Sequence, residues 1–110
     1  MNTFDMETVK DYTGRPGFTG KFVHGEGFTL ARWEIKKGSE LSFHNHPHEQ
    51  TTLLLSGKLE IGNGDEKTVL TPGQGITFAG GEGHGGVALE DCLLIDVFCP
   101  AREDFKILMG

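Results

Sequence analysis

The sequence predicts an all-β chain folded as a sandwich or barrel. Three observations point there. Seventeen glycines among 110 residues cut the chain into short runs. Several of those runs alternate apolar with polar side chains, and no stretch of ten or more residues keeps a helical 3.6 period. Residues 5–11 offer one helical turn at most. The first strand is expected at 29–35, where Leu30, Arg32 and Glu34 take one face and Ala31, Trp33 and Ile35 the other. Further strands are expected at 41–46, 51–55, 58–61, 68–70, 75–78, 86–89 and 92–98. Turn formers separate them: Lys37-Gly38, Ser56-Gly57, Gly62-Asn63-Gly64-Asp65, Thr71-Pro72-Gly73 and Gly80-Gly81.

Size and charge narrow the class. A chain of 110 residues suits one domain, 1–110, with a modest core. A net charge of −6 and the lack of a Lys/Arg cluster argue against a nucleic-acid surface. The start, Met1-Asn2-Thr3-Phe4-Asp5-Met6-Glu7, has neither the basic nor the apolar region of a signal peptide. The most apolar run, 92–99, is eight residues long and broken by Asp96, too short to cross a bilayer. Its two ends are the two cysteines, which an extended strand holds about 23 Å apart, against about 5.5 Å in a disulfide. No intrachain disulfide is expected, and the expected location is the cytoplasm.

The segment 38–57 carries the chemistry. His44 and His46 are two apart and Gln50 four further on, so all three share a face if the chain keeps its parity. His84 joins from a distant Gly-rich turn. Two imidazoles on one face and a third from elsewhere suit a divalent transition metal. The competing reading makes them polar groups at a barrel mouth. Glu49 is the rival to Gln50: it is one residue out of phase, and a bulge at Pro47-His48 would bring it inward. His48 is expected at the rim and His24 at a strand edge.

Written out, these spacings resemble the cupin superfamily. Gly38, five residues, His44-Asn45-His46, three residues, Gln50, six residues and Gly57 follow its first motif. Gly73, five residues, Ala79-Gly80-Gly81, two residues and His84 follow its second, at 73–84. Fifteen residues lie between the two, about the shortest spacing seen in small microbial cupins. Gln50 stands where the family usually has glutamate, and Ala79 where it has proline. The resemblance implies a double-stranded β-helix, the cupin jelly-roll barrel. It also implies one divalent metal (nickel, zinc, manganese, iron or copper) held by His44, His46, Gln50 and His84. With a neutral amide in place of a carboxylate, the ion keeps its full charge. That favours Lewis-acid chemistry over the two-His-one-carboxylate oxygen chemistry of iron.

The closing run sharpens the resemblance. Asp96-Val97-Phe98-Cys99-Pro100-Ala101-Arg102-Glu103-Asp104 resembles the tail of KdgF-type cupins of pectin and alginate catabolism, as does His44-Asn45-His46-Pro47-His48-Glu49-Gln50. That family converts 4,5-unsaturated monouronates into linear keto forms. The resemblance implies that Asp96, Phe98 and Arg102 act on a small sugar acid. From the residues themselves, Asp96 shares a strand face with Leu94 and Phe98, and a carboxyl aimed into a barrel needs a partner or its pKa rises. An Asp bonded to backbone or to Arg32 is the competing reading. The Arg102 guanidinium suits a sugar carboxylate, or else pairs at the surface with Glu103 or Asp104. Phe98 walls the sugar or simply fills the core. The alternatives are another metal-dependent cupin enzyme, a sugar isomerase or dioxygenase, and a non-catalytic sugar-binding cupin. Outward-facing Leu93, Ile95 and Val97 suit a homodimer.

Overall fold

A computed structural model describes residues 1–109. After a 3-10 turn at Met6–Thr8, the strands run β1 Tyr12–Arg15, β2 Phe18–His24, β3 Thr29–Ile35, β4 Glu40–His44, β5 Glu49–Ser56, β6 Leu59–Gly62, β7 Lys67–Leu70, β8 Gly75–Phe78, β9 His84–Ala88 and β10 Cys92–Cys99. One helix, α1 Glu103–Leu108, follows. The strands form two antiparallel sheets, ordered β1-β2-β3-β10-β5-β8 and β4-β9-β6-β7. Their inner faces enclose the core and one cavity, so the fold is the all-β jelly roll expected.

Strands after residue 29 lie within two residues of the expected positions. β1 and β2 are additional to the expected strands and lie in a stretch that holds Gly14, Gly17 and Gly20. Gly20 in fact serves β2. It pairs with Trp33 across the ladder, and a Cβ there would sit 2.7 Å from the Trp33 ring. The missing side chain lets the indole lie flat over the strand. Phe18, Gly20 and Phe22 then point inward together.

β3, β10 and β5 form the spine of the larger sheet. Along β10, Cys92, Leu94, Asp96 and Phe98 are buried while Leu93, Ile95 and Val97 turn outward. One apolar cluster gathers Leu54, Leu59, Ile61, Phe78 and Leu94, and a second joins Phe22, Ala31 and Phe98. Each fully buried Leu or Phe contributes about 1.5–3 kcal/mol of transfer free energy. Gly57, which ends the first motif, has φ +92, and a Cβ would collide with the Asp91 carbonyl. Only glycine fits the turn that sends β6 into the second sheet.

α1 has six residues and buries none of them, so no apolar period marked it in the sequence. Glu103 and Asp104 in its first turn and Lys106 in its last suit the helix dipole. Phe105 anchors it to the barrel, stacked on Phe22 at 4.6 Å between ring centroids.

Candidate metal centre and its cavity

Strand register assembles the site. In the smaller sheet His44, the last residue of β4, pairs with His84, the first of β9. In the larger sheet Gln50 pairs with Phe98, and Thr52 pairs with Asp96. The loop 45–48 crosses between the sheets and carries His46. His44 and Gln50 therefore face each other from opposite walls. The expected convergence holds, but through two sheets rather than the parity of one strand. Ala31 lies across the ladder from Asp96, and its small side chain leaves room beside the carboxyl.

The three rings are oriented alike. Nδ1 of His44 lies 2.8 Å from the Ser42 carbonyl, Nδ1 of His46 3.1 Å from the His48 carbonyl, and Nδ1 of His84 3.0 Å from the Glu82 carbonyl. Carbonyls only accept, so each Nδ1 carries the proton and each Nε2 keeps its lone pair. Ring nitrogens of the three residues lie within 4.8 Å of one another, a set that can hold one metal ion. Phe78 stacks flat on His84 at 4.4 Å and fixes that ring. Burial lowers the pKa of His46 and of His84, outweighing the hydrogen bond each makes, and the neighbouring histidines lower both further. Both shifts favour the neutral imidazole, the form that ligates a metal.

Two features of the polar network call for a cation. The Nε2 atom of His84 is buried without a hydrogen-bond partner, a deficit of about 1–3 kcal/mol in a protein interior. His46 has an acceptor on each side: the His48 carbonyl at 3.1 Å and Oε1 of Gln50 at 2.9 Å. One N–H of a neutral ring cannot serve both. The Gln50 amide is not free to turn, because its Nε2 donates to Thr52 Oγ1 at 3.1 Å, while the Thr52 hydroxyl donates to Asp96 Oδ1. Two lone pairs therefore meet at His46 and Gln50, and a shared cation removes the conflict. The donor set fits a divalent transition metal.

Gln50 is buried, at 4 % exposure, whereas Glu49 is exposed on the opposite face of β5. No bulge interrupts the ladder beside them; the irregularity in the β5–β10 pairing falls at Leu93/Leu94. His48 is half-buried at the rim, its ring 5.4 Å from that of His46. His24, at the end of β2, bonds through Nδ1 to Thr29 Oγ1 at 2.7 Å. Gln50→Glu is expected to hold a divalent ion more tightly, since a carboxylate replaces an amide among neutral imidazoles. Retention during chelator challenge, read by elemental analysis, checks this. Equal retention would mean that the side chain does not reach the ion, and Glu49 would be next to test.

Asp96 is 7 % exposed. Its partners are Thr52 and, at 3.5 Å, the Gln50 amide, and it is not bonded to Arg32. Burial pushes its pKa up to about 6, against the opposing pull of Thr52, Gln50 and Arg102. Arg102 caps the start of α1 and lies over two rings, 4.7 Å from the centre of Phe98 and 4.0 Å from that of Phe105. It also grips Asp104 through two bonds of 2.9 and 2.7 Å. Of the two sequence readings of Arg102, the structure shows the ion pair with Asp104, with the guanidinium lying over Phe98 and Phe105 beside the cavity. Phe98 lies under it, with its ring 5.6 Å from that of His46. A cavity of about 370 Å³ joins His44, Gln50, His84, Asp96, Phe98 and Arg102. Thr52 had gone unmarked in the sequence, although it shares the inward face of β5 with Gln50.

The sequence profile of the Cupin domain family matches residues 31–98. The chain belongs to the cupin family. Among solved structures this cupin is similar to KdgF from Halomonas sp., with a TM-score of 0.89 and 29% identity over 94% of this chain and 99% of that one. An RmlC-like cupin from Shewanella frigidimarina gives a TM-score of 0.90 at 25% identity, covering 96% of both chains. Ectoine synthase from P. lautus gives 0.85 at 23% identity, over 97% of this chain and 83% of that one, a likeness of fold alone. Comparison with curated protein sequences gives no match. No helix among the described residues is long and apolar enough to cross a membrane.

Proposed function

We propose that this cupin opens the ring of 4,5-unsaturated monouronates to give their linear keto forms. The observation that carries the reading is the hydrogen-bonded chain Asp96–Thr52–Gln50, which sets a proton-handling carboxyl one residue away from the candidate metal ligands in one cavity. The KdgF-type head and tail motifs and the likeness to a KdgF structure agree with it. His44, His46, Gln50 and His84 would hold the ion; imidazole-rich sets accept nickel, zinc, manganese, iron or copper. A bound divalent cation supplies Lewis acidity toward a carbonyl or hydroxyl oxygen.

The reaction is an isomerisation. The anomeric hydroxyl loses its proton as the C1–O5 bond breaks, and the bond pair goes to O5, leaving an aldehyde at C1 and an enolate at C5. The enolate takes a proton at C4 and becomes the ketone, so no atom is gained or lost overall. Asp96 takes the hydroxyl proton and returns one to C4. A carboxyl with a pKa near 6 suits both halves of that transfer. Phe98 and the guanidinium of Arg102 wall the sugar face, and α1 limits water at the mouth. The test is the ultraviolet decay of the conjugated enol ether with metal-loaded protein. Decay no faster than the spontaneous rate, on both galacturonate- and alginate-derived substrates, would refute the reading.

A cytoplasmic homodimer completes the proposal. Leu93, Ile95 and Val97 line the outer face of β10, and exposed Leu53 and Leu55 extend it on β5. A light-scattering mass near that of one 12.0 kDa chain would exclude the dimer.

A further inference from the structure

We propose that Arg15 is the anion-binding end of the cavity, and that it takes the carboxylate of an acidic sugar whose opposite end lies at the histidine cluster. The proposal rests on the uronate reading and deepens it by assigning the substrate's charge to a residue outside both sequence motifs.

The cavity that holds His84 and Asp96 is also lined by Arg15, at the end of β1. The chain has two cavity-lining arginines to offer an acid, and Arg102 is already committed to Asp104 by two short hydrogen bonds. Among the described residues Arg15 has no carboxylate within ion-pair distance, whereas Arg32 and Arg102 each do. Its guanidinium is nevertheless held in place. Nη2 donates to the Glu40 carbonyl at 3.1 Å, and the guanidinium carbon lies 4.4 Å from the centre of the Phe18 ring. A half-buried cation that is anchored but not neutralised is pre-organised for an anion.

Spacing along β4 agrees with a ligand that spans the two ends. Glu40, which anchors Arg15, and His44 bound the strand, four residues or about 13 Å apart. An open six-carbon acid measures about 8 Å between its terminal oxygens at ordinary carbon–carbon spacing. The side chains reaching in from either end cover the rest. One carboxylate at Arg15 then leaves the far hydroxyl or carbonyl among His44, His46 and His84.

Trp33, the chain's single tryptophan, lines the same cavity and meets Phe18 edge-on at 6.0 Å, so its emission reports on occupancy. The experiment titrates metal-loaded wild type, Arg15→Gln and Arg15→Lys with saturated galacturonate and with galactose, following Trp33 fluorescence. Gln keeps an N–H for the Glu40 carbonyl and removes only the charge, and thermal melts check that each variant folds. Galacturonate affinity is expected to fall about tenfold or more in Arg15→Gln and by less in Arg15→Lys. Galactose affinity should be the same in all three. Equal galacturonate affinity in wild type and Arg15→Gln overturns the assignment, as does a wild type that binds no galacturonate. Turnover of an unsaturated uronate, measured on the same preparations, separates the two proposals. Turnover with galacturonate affinity indifferent to Arg15 sinks this inference alone. Arg15-dependent binding without turnover sinks the ring-opening reading alone.

Discussion

Asp96→Asn is expected to lower kcat on an unsaturated uronate by roughly 100-fold or more, with little change in KM. Asparagine keeps the shape of the side chain and still offers an oxygen to the Thr52 hydroxyl, so the pocket should survive. What it loses is the proton. In wild type the carboxyl is raised to about 6 because burial disfavours its charge. As a base toward the anomeric hydroxyl it must be ionised, so kcat/KM should fall as pH drops through that region. The acidic limb should be missing from the residual activity of Asp96→Asn. A variant within threefold of wild type, or one that keeps the acidic limb, would remove Asp96 from the chemistry. A purely structural role, in which the carboxyl only ties β10 to β5 through Thr52, predicts lost thermal stability with kcat per folded molecule intact. Melting curves alongside the kinetics distinguish the two.

The inward course of Asp96 was legible because strand period alone sets it beside Leu94 and Phe98. Its partner was not. Pairing Asp96 with Thr52 depends on the β5–β10 register, which no local pattern specifies. The histidine spacing announced a cluster, yet the reason it forms is the crossing of residues 45–48 between two sheets. Parity could not show that. The buried Gln50 and exposed Glu49 follow from period two once β5 is known to begin at Glu49. β1 and β2 were hidden by glycines that usually end strands and here make room for Trp33 and the turn before β2. Arg15 was hidden with them, since it lies upstream of both motifs and reaches the cavity only through tertiary packing. The C-terminal tail gave Arg102 two plausible partners. The structure shows the pairing with Asp104, and adds a stacking on Phe98 and Phe105 that the local sequence does not specify.

His46→Ala and His84→Ala are each expected to abolish most metal binding, from about one ion per chain to a small residue. His48→Ala and His24→Ala should retain it. His48, like His84, has a buried ring nitrogen without a partner, but only His44, His46 and His84 bring their ring nitrogens within 4.8 Å of one another. His46 presents a lone pair to Gln50, and His84 has a buried Nε2 with no partner. His48 offers the cluster its carbonyl, which an alanine keeps, and His24 is spent on Thr29 at the end of β2. The readouts are elemental analysis and the melting temperature before and after chelation. A ligand at 100 times its dissociation constant stabilises a fold by about 2.7 kcal/mol, so stripping the ion should lower the wild-type melting temperature by several degrees. In His46→Ala and His84→Ala chelation should leave it unmoved. Removing one imidazole also leaves the Gln50 oxygen or the remaining lone pairs without a cation to share, so the variants should not regain affinity at moderate metal excess. Full metal content in both cluster variants, or equal loss in all four, would refute the site.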